Sequence, residues 1–323
     1  MKAIVVKSYG GSEVLQIENI EKPTPRENEV LVQIKATAIT GASTFMREGT
    51  PYFGRLFTGL TKPNITTPGT DLAGVVEEVG SNVTRFNVGD RVMAETGLNC
   101  GAYAEYICLS EDELIVHQPE NVSPEEATGI IDGGSTALAF FTDAVRLKPG
   151  QKILINGASG SIGTAAIQLA KHFGAEVTAV CSTKNKCLVK DLGADKVLDY
   201  TTNDLENTKE QFDVIFDTVG KLSFRKSKKL MEENGVFLTP VLTFGTLANM
   251  LFVSPFSNKK LKFDATGIRK ESLRKRDLII IRDMLAAGKL TTTIDRVYNL
   301  EQIQDAHAYV DTGRKRGNVV ISF

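Results

Sequence analysis

Short apolar or alternating runs recur at residues 3–6, 30–35, 72–79, 91–94 and 103–109. Turn residues separate them at Gly10-Gly11, Pro23 to Asn28, Ser81-Asn82 and Gly89-Asp90. Runs of that length and spacing predict the strands of a compact barrel-like domain over residues 1–121. The period changes at Ser123-Pro124-Glu125-Glu126, where a cap residue, a first-turn proline and early acids predict a helix start. That helix reads as interrupted at Gly133-Gly134 and ends near Leu147.

Residues 151–200 then set out a strand, a small-residue turn, a helix and a strand. The apolar run Ile153-Leu154-Ile155 leads into Asn156-Gly157-Ala158-Ser159-Gly160-Ser161-Ile162-Gly163, and helical period follows at Ala165, Ala166, Ile167, Leu169 and Ala170. The helix stops at Gly174, and Val177 to Val180 forms the second strand. Further strands at 197–199, 212–216, 235–239 and 261–263 alternate with helices, which predicts an α/β doubly wound parallel sheet. A helix from the cap candidate Ser272 runs to Ala287. Strands at Thr291 to Val297 and Asn318 to Phe323 are then expected to rejoin the N-terminal domain. The expected domains are residues 1–121 with 289–323, and residues 122–288.

The turn at 156–163 carries the candidate chemistry. Gly160 lets a pyrophosphate approach the backbone and Gly163 lets the helix pack closely on the strand, while the amides at the helix start face the phosphate charge. Ala158 replaces the first glycine of G-x-G-x-x-G, so placement between strand and helix is what sets aside an ordinary glycine-rich turn. Ala158, Ser159, Gly160, Ser161, Ile162 and Gly163 are the expected phosphate-binding residues. An NAD site wants an acid at the end of the second strand. The sequence there is Cys181-Ser182-Thr183-Lys184-Asn185-Lys186. Hydroxyls at Ser182 and Thr183 and the ammonium of Lys184 suit a 2′-phosphate, so NADPH is the expected cofactor; a solvated basic helix start is the alternative. Strand ends place Val219, Gly220 and Val241 along the same cofactor.

Two stretches stand outside these patterns. Residues 40–70 read as irregular, with Phe45, Tyr52, Phe53 and Phe57, and predict either a loop capping a site or a satellite core. The apolar excursion 242–259, with Phe244, Met250, Leu251, Phe252 and Phe256, is expected to cover the substrate or meet a second subunit.

Composition narrows the function classes. A net charge of −1 over 323 residues lacks the basic excess of a nucleic-acid footprint, and no apolar run approaches a membrane span. Cys100, Cys108, Cys181 and Cys187 show no metal or disulfide spacing, so reduced thiols in the cytoplasm are expected.

Over its whole length the chain resembles the zinc-independent medium-chain dehydrogenase/reductases of the quinone oxidoreductase type. The resemblance is carried by Gly150-Gln151, Leu154, Ala158-Ser159-Gly160, Gly163, Gln168 and Lys171, with Ser161 standing where the family usually has glycine. Gly69 to Val76, Gly89-Asp90-Arg91-Val92, Gly101 to Tyr106 and Leu192 to Asp195 support it. The run from Val180 to Asn185 is similar to the branch holding NADPH-dependent alkenal/enone reductases. The resemblance implies a GroES-like β-barrel domain plus a Rossmann doubly wound parallel sheet domain, and a homodimer. It also implies that Tyr200 lies near the adenosine 2′-phosphate, that Thr136 lies near the nicotinamide half, and that Arg316 approaches the cofactor.

Zinc-dependent relatives hold their metal with a Cys-His pair and a Gly-His-Glu; the matching positions here are Thr40-Gly41 and Gly69-Thr70-Asp71. Three protein ligands are needed and one carboxylate is offered, so no metal site is expected. Without a Lewis acid, hydride transfer favours an acceptor that spreads its own charge, such as a quinone or an α,β-unsaturated carbonyl. Thr40, Ser43 and Tyr52 are the expected substrate-side residues, against the plainer reading of hydroxyls satisfied by backbone. A short-chain reductase is set aside because no tyrosine has a lysine four residues later. The competing functions are an NADPH-binding regulatory or structural protein with little turnover, and an NADP-dependent alcohol dehydrogenase.

Overall fold

In the structure, a computed structural model that describes residues 1–50, 52–202, 204–252 and 257–323, the N-terminal strands form a mainly antiparallel array. β1 (Lys2–Val5) pairs with β2 (Gln16–Asn19), a strand the hydrophobic pattern did not announce. β3 (Glu29–Ala38) pairs along one edge with β4 (Asp71–Val79), which pairs with β5 (Arg91–Glu95). The first half of its other edge takes β6 (Tyr106–Ser110), and β5 is closed by β7 (Ile115–His117). Alternation along these strands turns Val30, Val32, Ile34, Leu72, Val76 and Val92 into one core.

Between β3 and β4 the structure corrects the expectation of irregular chain. Residues Gly41–Glu48 are an α-helix, started by a capping box at Thr40 and Ser43 and ended by Gly49 at φ 64°. Its Gly-Ala-Ser-Thr start disguises it as loop, because those residues gain their helical place from the cap. Short helical turns follow at Tyr52–Gly54 and Arg55–Thr58. Phe45 is half exposed, while the side chains of Phe53 and Phe57 lie outside the described residues.

Ser123 and Glu126 exchange side-chain and backbone hydrogen bonds at the start of the helix Pro124–Ala139. The helix runs unbroken through Gly133-Gly134, contrary to the expected interruption. Glycine is needed at 133 for closeness, since a Cβ there would lie 2.7 Å from the Ser161 carbonyl oxygen. A π-helical turn, Phe140–Ala144, follows.

The second sheet is wholly parallel. It comprises β8 (Lys152–Asn156), β9 (Glu176–Cys181), β10 (Lys196–Asp199), β11 (Phe212–Asp217), β12 (Met231–Thr239) and β13 (Lys260–Phe263), in the order β10-β9-β8-β11-β12-β13. The order reverses between β8 and β11, the switch point at which doubly wound sheets bind ligands. The helix Ser161–His172 buries Ala165, Ala166, Ile167, Leu169 and Ala170, and the chain leaves it through Gly174 at φ 78°. Within the excursion after β12, residues 244–252 are helical and Phe244 is 90% exposed; Met250 packs on the core. Phe256 and the side chains of Leu251 and Phe252 lie outside the described residues.

The helix Glu271–Ala286 starts one residue before Ser272, with Lys270 at the cap position and no side-chain cap, so Ser272 is a first-turn residue. β14 (Ile294–Asn299) and β15 (Asn318–Ser322) then join the first array, β15 antiparallel to β3. The helix Ile303–Asp311 lies between them. Two compact units result, Met1–Asp132 with Lys270–Phe323, and Gly133–Arg269. These limits differ from the expected 121/122 and 288/289. Arg274 ion-pairs with Glu95, and Lys275 donates to the Asp112 carbonyl, which fixes the helix Glu271–Ala286 in the first unit. Among the described residues no helix is long and apolar enough to cross a membrane.

Candidate functional site

The turn after β8 is shaped by contacts of very different kinds. Gly157 sits at φ 75°, and a Cβ on Gly163 would lie 2.2 Å from the Gly157 carbonyl oxygen. Gly163 is therefore required by packing alone. At Gly160 the backbone is extended, and an added Cβ would meet nothing nearer than the Gly157 oxygen at 3.4 Å. Nothing in the protein requires glycine there; a group drawn up to the turn would. No side chain caps the helix Ser161–His172, leaving its N-terminal end and dipole for an anion. Ala158 is buried, with Ser159, Gly160, Ser161 and Ile162 half-buried. Asn185, which sequence reasoning passed over, donates to the Ser159 hydroxyl at 2.8 Å and ties the turn to the end of β9.

The strand ends assemble around that turn. Asp217 accepts from Asn156 at 2.8 Å, and also from the Val219 and Leu222 amides. Gly220 adopts φ 67° with Val241 directly against it, and Val219 packs over Gly157. So Gly157, Val219, Gly220 and Val241 come together at the carboxyl ends of β8, β11 and β12. Thr136 is buried and its hydroxyl pairs with Thr266 at 3.0 Å. Ser182 and Lys184 follow β9, and Tyr200 follows β10, its hydrogen-bonded neighbour. Their side-chain polar groups have no partner among the described residues. Thr183 differs: its hydroxyl donates to Asp199 at 2.6 Å, and Lys186 ion-pairs with the same carboxylate at 3.1 Å. The hydroxyls of Thr183 and Thr201 hold Asp199 well below the usual carboxylate range. Arg316 is occupied in the first unit, pairing with Asp295.

In the first unit, Thr40 and Ser43 are brought together. Their hydroxyl oxygens lie 2.8 Å apart, and the Ser43 amide donates to Thr40 at 3.1 Å. Behind them is a buried polar cluster that no sequence signal announced. Arg47 Nη1 lies 3.2 Å from His307 Nδ1, and His307 Nε2 lies 3.2 Å from the Tyr103 hydroxyl. Arg47 also reaches Glu48 at 2.7 Å and Asp311 at 2.9 Å. Tyr52 is not in this cluster. It is 75% exposed, its ring under the Arg55 guanidinium.

Arg47 also borders an apolar pocket of about 70 Å³ with Met46, Ile65, Pro68, Leu98 and Cys100. Cys100 holds a backbone conformation rare outside glycine, φ 55°, and burial pushes its thiol up to about 11. The positions that hold zinc in zinc-dependent relatives do not fit that metal. The Thr40 side chain serves the helix cap, and burial, with Asp132 and Glu95 nearby, raises the Asp71 carboxyl well above its ordinary range. Among the described residues no group of three His, Cys, Asp or Glu side chains is placed to hold a metal ion.

His307 carries a pH prediction. Burial, reinforced by Arg47, pushes its imidazole down to about 3. Above pH 6.5 the histidine is neutral whether folded or not; below it only the unfolded chain takes the proton. Native stability is therefore lost as pH falls, by about 3 kcal/mol between pH 6.5 and 4. Asp71 and Asp132, both raised, act in the opposite sense over part of this window. The measurement is thus the stability difference between wild type and His307→Gln, by denaturant titration. It should shrink by about 3 kcal/mol from pH 7 to pH 4; a constant difference would contradict the assignment.

Comparison with known proteins places these features. Residues 26–120 match the family model of the alcohol dehydrogenase GroES-like domain, and residues 192–321 that of zinc-binding dehydrogenase. The chain is 33% identical over 335 residues to 2-methylene-furan-3-one reductase of Solanum lycopersicum, covering 99% of this chain and 79% of that protein. It is 31% identical to the chloroplastic NADPH-dependent alkenal/one oxidoreductase of Arabidopsis thaliana, with the same coverage, 99% and 79%. Among solved structures, the quinone oxidoreductase from Coxiella burnetii is similar with a TM-score of 0.88 at 27% identity, over 100% of this chain and 99% of that one.

Proposed function

This chain belongs to the medium-chain dehydrogenase/reductase family, in the group of quinone and alkenal/one oxidoreductases, and on that premise we propose that it transfers hydride from NADPH to a quinone or to the activated C=C of an α,β-unsaturated carbonyl. The observation that carries the reading is the donor set at Thr40 and Ser43: two buried hydroxyls bonded to each other, where zinc-dependent relatives hold a metal. Hydroxyls cannot act as a Lewis acid, but they can hydrogen-bond an oxygen whose charge is already spread into an enolate or hydroquinone. The Tyr52 hydroxyl, with no hydrogen-bond partner among the described residues, could do the same.

The residues of the second unit fit the dinucleotide. The open face of Gly160 and the uncapped helix behind it would take the pyrophosphate, lined by Ala158, Ser159, Ser161, Ile162 and Gly163. Ser182, Lys184 and Tyr200 would hold the 2′-phosphate, with Thr183 shaping the loop through Asp199. Val219, Gly220, Val241 and Thr136 would border the nicotinamide half, and Arg316 would also contact the cofactor. When bound, NADPH supplies the hydride. The protein's part is to position the acceptor, exclude water and donate a hydrogen bond to the oxygen that gains charge. Cys100, kept protonated by burial, stays a poor nucleophile beside such electrophiles. A homodimer in a reducing compartment such as the cytoplasm completes the proposal by analogy, and the four free thiols suit it.

The test is loss of NADPH absorbance with ortho-quinones, alkenals, enones and plain ketones, run also with NADH and with Tyr52→Phe. Turnover with the first three classes and at least about tenfold less with plain ketones is expected, following the Lewis-acid argument. Binding of NADPH without turnover of any acceptor would favour a regulatory protein. Unchanged kinetics in Tyr52→Phe would remove that residue from the reaction.

A further inference from the structure

The apolar pocket beside Arg47 begins one helical turn from the Thr40–Ser43 hydroxyl pair. Met46 and Arg47 stand three and four residues past Ser43 on the helix Gly41–Glu48, so they share its face, and long side chains on a helix lean back toward its start. A second wall is the turn Gly97–Asn99 with Cys100, whose thiol lies 3.5 Å from the Met46 sulfur. The Thr96 amide donates to the Thr70 carbonyl at 2.7 Å, which sets that turn beside the other position where zinc-dependent relatives hold metal. The segment carrying Ile65 is pinned as well, because the Val6 amide donates to the Thr66 carbonyl at 2.7 Å.

These walls offer a ligand carbon and sulfur. Met46, Ile65, Pro68, Leu98 and Cys100 line the pocket, and the polar side chains that border it are already engaged. The Thr58 hydroxyl pairs with Tyr9 at 2.9 Å. Arg47 gives its terminal nitrogens to His307, Glu48 and Asp311, and its Nε is closed off from solvent. Ile65 is 39% exposed and Leu98 52%, which gives the pocket an open apolar rim. Such a space favours a hydrocarbon group over water.

We propose that this pocket takes the alkyl group on the carbonyl carbon of the acceptor, so that α,β-unsaturated ketones with a short unbranched chain are preferred to alkenals. The inference rests on the reading that the acceptor's oxygen sits at Thr40 and Ser43. In a ketone the oxygen and the alkyl group leave the same carbon. An oxygen held at the hydroxyl pair therefore brings that group to the mouth of the pocket, where an aldehyde has only hydrogen. The chain of an alkenal grows from the β-carbon, which has to stay open to hydride. About 70 Å³ holds roughly two or three methylene-sized groups, which limits the chain to about a propyl group. Met46, Ile65 and Leu98 are then specificity-determining residues.

The test is kcat/KM at saturating NADPH for alkyl vinyl ketones carrying methyl, ethyl, propyl and pentyl groups, beside alkenals of matching length. In the ketone series kcat/KM should rise about fourfold with each methylene from methyl to propyl, the gain expected from burying one such group, and then level off. The alkenals should stay within about twofold of one another. Ile65→Trp narrows the rim and should bring the propyl-to-methyl ratio down to about one. Met46→Ala widens the pocket and should move the plateau out to pentyl, so the inference stays testable if the first variant does not fold. A flat ketone series, alkenals that gain as steeply with length, or the same ratios in both variants as in wild type would overturn this pocket assignment while leaving the enzyme reading in place. A wild type inactive with every acceptor would remove that reading and this inference together.

Discussion

Gly160→Ala is expected to leave the free protein as stable as wild type while weakening NADPH binding about 10–100-fold, whereas Gly163→Ala damages the fold itself. The two glycines lie three residues apart in one turn, and the space around them differs. An alanine Cβ at 160 has only the Gly157 oxygen at 3.4 Å, an ordinary contact, in extended backbone that alanine adopts freely. Stability should change by no more than about 0.5 kcal/mol. The methyl group instead occupies the approach of the pyrophosphate, and about 2 kcal/mol of overpacking there corresponds to the stated loss in affinity. At 163 the same methyl would sit 2.2 Å from the Gly157 oxygen and 2.6 Å from Ala158 Cα, both backbone atoms with no way to swing aside. About 3 kcal/mol of destabilisation is expected. Thermal unfolding of both apo variants, beside NADPH titrations, separates the two roles. Equal destabilisation of both would show that Gly160 is a packing residue too.

The second large effect concerns the choice between cofactors. Ser182 and Lys184 follow β9 with no side-chain partner among the described residues, and the acid at the end of the neighbouring strand, Asp199, is bound by Thr183, Thr201 and Lys186. An ammonium donating to a phosphate dianion is a charge-assisted hydrogen bond of roughly 1.5–3 kcal/mol. Lys184→Ala should therefore raise the KM for NADPH about 10–100-fold and leave that for NADH unchanged. Adding Ser182→Asp places a carboxylate where NAD-binding folds keep one for the ribose, and the double variant should prefer NADH. Measured KM values for both cofactors decide it. Parallel changes for NADPH and NADH would mean that neither residue meets the 2′-phosphate.

Where the sequence could be read, the signal was local. The β8–turn–β9 unit declared itself because apolar runs, small residues and helical period follow one another within a single crossover. Val219, Gly220 and Val241 came from the rule about strand ends, and they do meet there. The missed features had misleading composition, short length or distant partners. The helix Gly41–Glu48 is made by its cap and resembles loop, and β7 has only three residues, too few to show a period. Gly133-Gly134 looked like a break because glycine is a poor helix former, while the need at 133 is close contact with Ser161, which a single segment does not reveal. The cluster of Arg47, Tyr103 and His307 lay furthest out of reach: Arg47 and His307 are 260 positions apart, and neither sits in a motif. Thr40 and Ser43 are singled out in the sequence and lie together in the structure, but nothing in the sequence points to this cluster.

The account stands on hydride reaching carbon in a conjugated acceptor, leaving charge on a delocalised oxygen. Deuteride-labelled NADPH, turned over with an alkenal and followed by NMR of the product, tests this directly. Deuterium at the β-carbon of a saturated aldehyde is the expected result. Deuterium on the carbonyl carbon of an allylic alcohol would contradict it.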